Sequence, residues 1–238
     1  MSARVDAAAP NLAAPGTMAA FATPISTHVW PDSDAVNAAL STEILRRAET
    51  ESGMDRSNIG GWHSTVDLLS WPGEAFQTLA ARINRYVIDV LRTTMTGDGP
   101  TQMTLKTEAW ANVSRRGNYN GVHDHPGAHW SGVYYVTAGT PDPGTSAKNG
   151  RLELLDPRPA INMLPLQGSV FEQRYLIDPS PGLMIVFPGW LKHFVHPYTG
   201  DAPRISIAFN VTIRAGADDD AGGGHGTASD AGAGRSSA

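Results

Sequence analysis

The sequence predicts an α+β domain in which a layer of helices packs on one face of an antiparallel sandwich or barrel. Two observations carry this. Before Pro100 apolar residues recur at helical spacing, and after it the chain breaks into short apolar runs separated by Gly, Pro and Asn. Helices and strands segregated along a chain in this way pack as separate layers around one core.

The first helix is written after Pro31-Asp32-Ser33-Asp34, a helix start, with Val36, Leu40, Ile44 and Ala48 on one face. A second follows Trp71-Pro72-Gly73, where Phe76, Leu79, Ala80, Ile83, Val87, Val90 and Leu91 form a stripe of helical period, and it ends before Gly97-Asp98-Gly99-Pro100. Strands are expected at 103–113, 130–136, 151–155, 168–171, 183–187 and 204–214. The chain of 238 residues fits one domain, expected over 21–214. The Ala- and Pro-rich stretch 1–20 and the Gly/Ala/Ser/Asp tail 215–238 have little to bury and are expected to be disordered. His225, in that tail, is set aside as solvated.

Composition narrows the function classes. Hydrophobic residues at 41% and charged residues at 17% describe a chain that folds. A net charge of -5 argues against nucleic acid as a partner and leaves a small molecule as the expected one, with a homodimer as a further expectation. The absence of cysteine excludes disulfides, thiolate metal sites, iron-sulfur clusters and a Cys nucleophile, so any metal rests on His, Asp or Glu. With neither a signal-peptide core nor an apolar run of spanning length, the expected location is cytoplasmic, away from membranes.

The chemistry concentrates in Gly117-Asn118-Tyr119-Asn120-Gly121-Val122-His123-Asp124-His125-Pro126-Gly127-Ala128-His129, which leads into Trp130-Ser131-Gly132-Val133-Tyr134-Tyr135-Val136. If the stretch is extended, His123 and His125 project to one side and Asp124 to the other. A kink at Asp124 or a turn at Pro126-Gly127 would instead bring Asp124 or His129 to the same point; His125 ranks above both. A lone His-x-His is as often polar surface as a metal site. The balance shifts with Phe187-Pro188-Gly189-Trp190-Leu191-Lys192-His193, a buried strand that delivers another histidine, and with the next strand, Arg204-Ile205-Ser206-Ile207-Ala208-Phe209-Asn210. Neutral imidazoles, with a carboxylate or a third imidazole, suit Fe(II), and three protein ligands on one face leave positions open for cosubstrate and dioxygen. Arg204 and Ser206 share a strand face opposite Ile205, Ile207 and Phe209. A guanidinium with a hydroxyl beside it suits the distal carboxylate of a dicarboxylic keto acid, the other reading of Arg204 being a structural ion pair.

Taken together, HxH, SGVYYV, FPxWLxH and RxSxxxN resemble the 2-oxoglutarate and Fe(II)-dependent oxygenases, specifically the bacterial and phage group in which HxH precedes SGVYYV; Gly60-Gly61-Trp62 resembles that group's early segment. The resemblance spans about residues 21–214. It implies a double-stranded β-helix, or jelly roll, with the N-terminal helices on one sheet. It also implies Fe(II), 2-oxoglutarate as cosubstrate and O2, and hydroxylation of a small or amino-acid-like molecule with release of succinate and CO2. On this resemblance His123 is the first iron ligand, His193 the distal one, and Arg204 with Ser206 binds the cosubstrate. His125 stands where the better-known enzymes carry an acidic ligand, and a neutral residue there leaves room for an added anion, so halide chemistry stays open.

Asn112 reads two ways, as a hydrogen-bond donor to cosubstrate or substrate and as a residue that satisfies backbone groups. Tyr135 is placed to reach the cosubstrate carboxylate opposite Arg204, which leaves Tyr134 to the core or the outer face. His28 and His63 are assigned to structure, Trp62 and Trp190 to packing, His196 to the surface or to the support of a ligating residue, and substrate choice to loops at 140–150 and 157–167. Two rival readings use the same residues. One is a cofactor-free cupin-type metal dioxygenase or isomerase, in which Arg204 is dispensable. The other is a non-catalytic metal- or ligand-binding jelly-roll module, which releases no succinate.

Overall fold

The computed structural model describes residues 21–95, 102–158 and 174–215. The stretches read as disordered, 1–20 and, but for Ala215, 215–238, and the strand expected at 168–171 lie outside the described residues. The order is β1 (Ser26–Val29), α1 (Asp34–Thr50), β2 (Asn58–Ile59), β3 (Trp62–His63), a 3-10 turn (Leu68–Ser70), α2 (Glu74–Thr94), β4 (Met103–Ser114) and β5 (Tyr119–His123). It continues with β6 (Trp130–Thr137), β7 (Leu152–Leu155), β8 (Arg174–Ile177), β9 (Leu183–Pro188), β10 (His193–Val195) and β11 (Arg204–Ala215).

Two antiparallel sheets result, one of six strands in the order β1-β9-β6-β11-β4-β3 and one of five in the order β2-β5-β10-β7-β8. This is the jelly roll with helices on one sheet. The long β11 is the spine of the larger sheet, paired with β4 from Arg204 opposite Ser114 to Ala215 opposite Met103, and with β6 on its other side.

Alternation along the strands divides the interior into two cores. Ile205, Ile207, Phe209 and Val211 face outward from the barrel onto the helices, with Tyr134, Val136, Met184 and Val186. Leu40 and Ile44 of α1 and Phe76, Leu79, Ile83, Val87, Val90 and Leu91 of α2 cover them. Between the sheets lie Tyr135, Leu152, Leu154, Ile177, Leu183, Ile185, Phe187 and Leu191. Tyr134 thus belongs to the helix side, where its hydroxyl donates to Asn37 Oδ1 at 2.7 Å. Gly132 is required by close packing: a Cβ there would stand 2.2 Å from the Phe209 ring and 2.5 Å from the Ile185 carbonyl oxygen.

Candidate metal centre and its cavity

Two strands of the smaller sheet bring the first histidines together. β5 and β10 are antiparallel neighbours with His123 and His193 directly opposite each other. The short β10 starts at the tight turn after β9, where Leu191 N donates to Pro188 O. His125 follows two residues after β5 and is anchored by its own N–H to Gly189 O at 2.8 Å. The three imidazoles meet with ring centroids 4.3 to 5.1 Å apart, and one ligand nitrogen from each lies within 4.8 Å of the others. Asp124 and His129 do not join this cluster. Asp124 still borders the cavity, while His129 Nδ1 accepts from Ile213 N at 3.1 Å.

The protons are placed for metal binding on two of the rings. His123 Nδ1–H donates to Gly121 O at 2.7 Å and His193 Nδ1–H to Leu191 O at 2.8 Å, which leaves each Nε2 lone pair free. His123 Nε2 lies 3.4 Å from Ser57 Oγ. Burial, with His123 close by, pushes His125 down to about 4 and His193 to about 3, and burial also lowers His123. All three are therefore neutral at pH 7, as a metal ligand must be.

The histidines open into a cavity of about 350 Å³. From the larger sheet Asn112 of β4, Tyr135 of β6, and Arg204, Ser206, Ala208 and Asn210 of β11 face the same space. Arg204 is 1% exposed, and among the described residues no carboxylate pairs with it. Its Nη1 donates to Ser206 Oγ at 3.4 Å, its charge lies 5.3 Å from the Tyr135 ring centroid, and its Nε has no partner. Burial lowers the Arg204 pKa and raises that of Tyr135, the charge of each partly offsetting the other's shift. Tyr135 hydroxyl and Asn112 Oδ1 are likewise buried without a partner. A buried cation among unmet polar groups, its own Nε–H and the Tyr135 hydroxyl among them, is costly unless an anion completes it. The donor set therefore fits both groups: three neutral imidazoles for Fe(II), and Arg204, Ser206 and Tyr135 for a carboxylate.

Every site residue expected from the sequence thus lines one cavity. Several more line it that were not expected. His63 stacks on Trp110 at 5.4 Å and its Nδ1–H donates to Ser64 O, so its Nε2 acceptor is left over; burial lowers its pKa. Arg56, Ser57, Asn120 and Asn210 also border the space. The one signal for His63 was its place beside Gly60-Gly61-Trp62. Trp62 packs on the helix-side core, and His28 lies against Trp30 and Tyr86. His196 turns away to Glu153 at 2.7 Å. Trp190, assigned to packing, is instead 53% exposed, because its turn lies on the surface. The loop at 140–150 does not reach the cavity either, being tied to the 197–202 segment through Asp142 N to Thr199 O and Thr140 N to Tyr198 Oη. Most of the loop at 157–167 lies outside the described residues.

Residues 108–210 match a family described as "Putative 2OG-Fe(II) oxygenase". No curated protein matches the sequence. Among solved structures, a prolyl-4-hydroxylase from Pseudomonas putida is similar at a TM-score of 0.55 and 16% identity, over 79% of this chain and 92% of that one. A Trichoplax adhaerens prolyl hydroxylase in complex with a hypoxia inducible factor peptide fragment gives 0.55 at 13% identity, over 79% and 82%. HygX from Streptomyces hygroscopicus, with nickel and 2-oxoglutarate bound, gives 0.53 at 13% identity, over 79% and 82%. At these identities the structural likeness speaks to the fold.

Proposed function

We propose that the chain is a 2OG-Fe(II) oxygenase, as the family match over residues 108–210 supports, and that it hydroxylates a small molecule or amino-acid-like substrate, with His123, His125 and His193 holding iron and Arg204, Ser206, Tyr135 and Asn112 holding the cosubstrate. One observation carries the reading: three neutral imidazoles and a buried arginine without an acid partner face each other across a single cavity.

When bound, iron with 2-oxoglutarate and O2 supplies the oxidation, in which 2-oxoglutarate becomes succinate and CO2 and one oxygen atom enters the substrate. The chain's residues position and enclose these reactants. Arg204 donates to the distal carboxylate of the keto acid, with Ser206 and the Tyr135 hydroxyl as further donors. The apolar floor of Leu152, Val133 and Ala208 excludes water from the reacting end. Trp110, His63 and Val66 wall the remaining space, into which a substrate of modest size fits, with Arg56, Glu108 and Asp124 available to polar groups on it. The hydroxylase neighbours and the bound peptide of the Trichoplax structure support a substrate with amino-acid character.

The test is anaerobic titration with Fe(II) and then 2-oxoglutarate, followed by the weak visible absorption of an iron-chelated keto acid. The band is expected in the wild type and absent in His193→Ala. In Arg204→Ala the cosubstrate should bind more weakly by about 2 kcal/mol or more, roughly 30-fold, since truncation abandons a buried charge pair. Absence of the band at saturating 2-oxoglutarate, together with an oxidation that persists in Arg204→Ala, would favour the cupin-type reading. Succinate release under no amino acid, short peptide or small acid would favour the binding module.

A further inference from the structure

We infer that Asn210 positions His125 for metal binding by presenting its amide carbonyl to the Nδ1–H of that imidazole. The inference rests on the three-histidine site proposed above and concerns the one ring of the three whose proton is not yet fixed.

The asymmetry is visible in the hydrogen bonds. His123 and His193 each donate from Nδ1 to the backbone carbonyl two residues back, Gly121 and Leu191. His125 has no such acceptor. Its Nδ1 instead faces Asn210 Nδ2 at 3.4 Å. A donor opposite Nδ1 holds the proton on Nε2 and blocks the nitrogen that would ligate.

The same amide has a second fault. Asn210 Oδ1 is buried and has no hydrogen-bond partner. A half turn of the amide exchanges oxygen and nitrogen with almost no change in shape. The carbonyl then accepts from His125 Nδ1–H, its missing partner is found, and Nε2 is bare toward the centre of the cluster.

β11 makes this contact possible. Arg204, Ser206, Ala208 and Asn210 are spaced by two and face the cavity together, and Asn210 is held in register between Ser131 of β6 and Glu108 of β4. The strand thus carries the cosubstrate arginine at one end of its inward row and the histidine support at the other. Asp124 borders the cavity but is not part of the ligand cluster, and this separates its role from that of His125.

The experiment uses the full chain with Zn(II) as a redox-inert probe, measuring affinity by competition titration, and reads histidine tautomers by 15N NMR. In the wild type His125 should carry its proton on Nδ1 when zinc is bound. Asn210→Leu should weaken zinc binding about 10- to 100-fold, the usual effect of losing the partner of a ligating histidine. Asn210→Asp, which keeps an acceptor, should stay close to the wild type. His125 protonated on Nε2 in the zinc-loaded wild type would overturn the inference without any variant. If His125→Ala loses zinc while folded Asn210→Leu retains full affinity, the role of Asn210 falls and the three-histidine site stands. If His125→Ala binds zinc as tightly as the wild type, the three-histidine site falls, and this inference with it.

Discussion

Tyr135 separates stability from ligand binding at a single atom. Its hydroxyl is buried beside Arg204 with no partner, so Tyr135→Phe removes an unmet polar group and should leave the unfolding temperature unchanged or raise it. If the phenol donates to the cosubstrate carboxylate, the same variant should raise the Kd for 2-oxoglutarate by about tenfold, the worth of one hydrogen bond to a charged acceptor. Calorimetry and thermal unfolding together check this; an unchanged Kd would remove Tyr135 from the binding set. Residues whose chemistry is local were legible in the sequence. Arg204 and Ser206 were paired by their spacing, and His123 with His125 by alternation. His63 and Asn210 were not, because what makes them interesting is a neighbour distant in sequence: Trp110 for one and His125 for the other.

Among elements, length decided what could be read. Both helices begin and end close to where their apolar stripes and flanking Pro and Gly place them, and the long strands β4, β6, β9 and β11 lie within one residue of expectation at either end. β1, β2, β3, β8 and β10 run from two to four residues and went unmarked, since alternation needs a longer window than that to show itself, while β7, also of four, was expected at 151–155 and the five-residue β5 was read only as a stretch that could be extended. Even β10, which supplies His193, is held as a strand by β5 and β7 on its two sides rather than by its own sequence. The packing of β6 on β11 yields a direct test. Gly132→Ala forces a Cβ against the fully buried Phe209 ring and the Ile185 carbonyl, which should cost about 1–3 kcal/mol by overpacking. Chemical denaturation should show the loss as a lower midpoint with an unchanged slope; wild-type stability would mean that β6 and β11 separate more easily than their pairing indicates.

The whole molecule carries its histidines as a latent sensitivity to acid. His125 and His193, held at about 4 and about 3 against an ordinary value of 6.5, stay neutral in the folded metal-free protein while the unfolded chain takes up protons. Their contribution is complete above pH 6.5 and is lost as pH falls toward those lower values, because the unfolded state then binds more protons than the folded one. Urea midpoints of the metal-free protein should decline between pH 7 and pH 5, and less steeply in His193→Gln; equal slopes would mean that His193 titrates normally. From apolar patterning alone the jelly roll was legible as a helix layer on an antiparallel body, and the motif resemblance supplied the double-stranded β-helix. That the body splits into two sheets meeting around the site depends on pairings such as His123 with His193, which no local pattern records. The split also has a mechanical side. The imidazoles of β5 and β10 belong to the smaller sheet and the guanidinium of β11 to the larger one. A molecule gripped at both ends fastens the halves of the barrel like a rivet, so metal and keto acid together should resist unfolding more than either does alone.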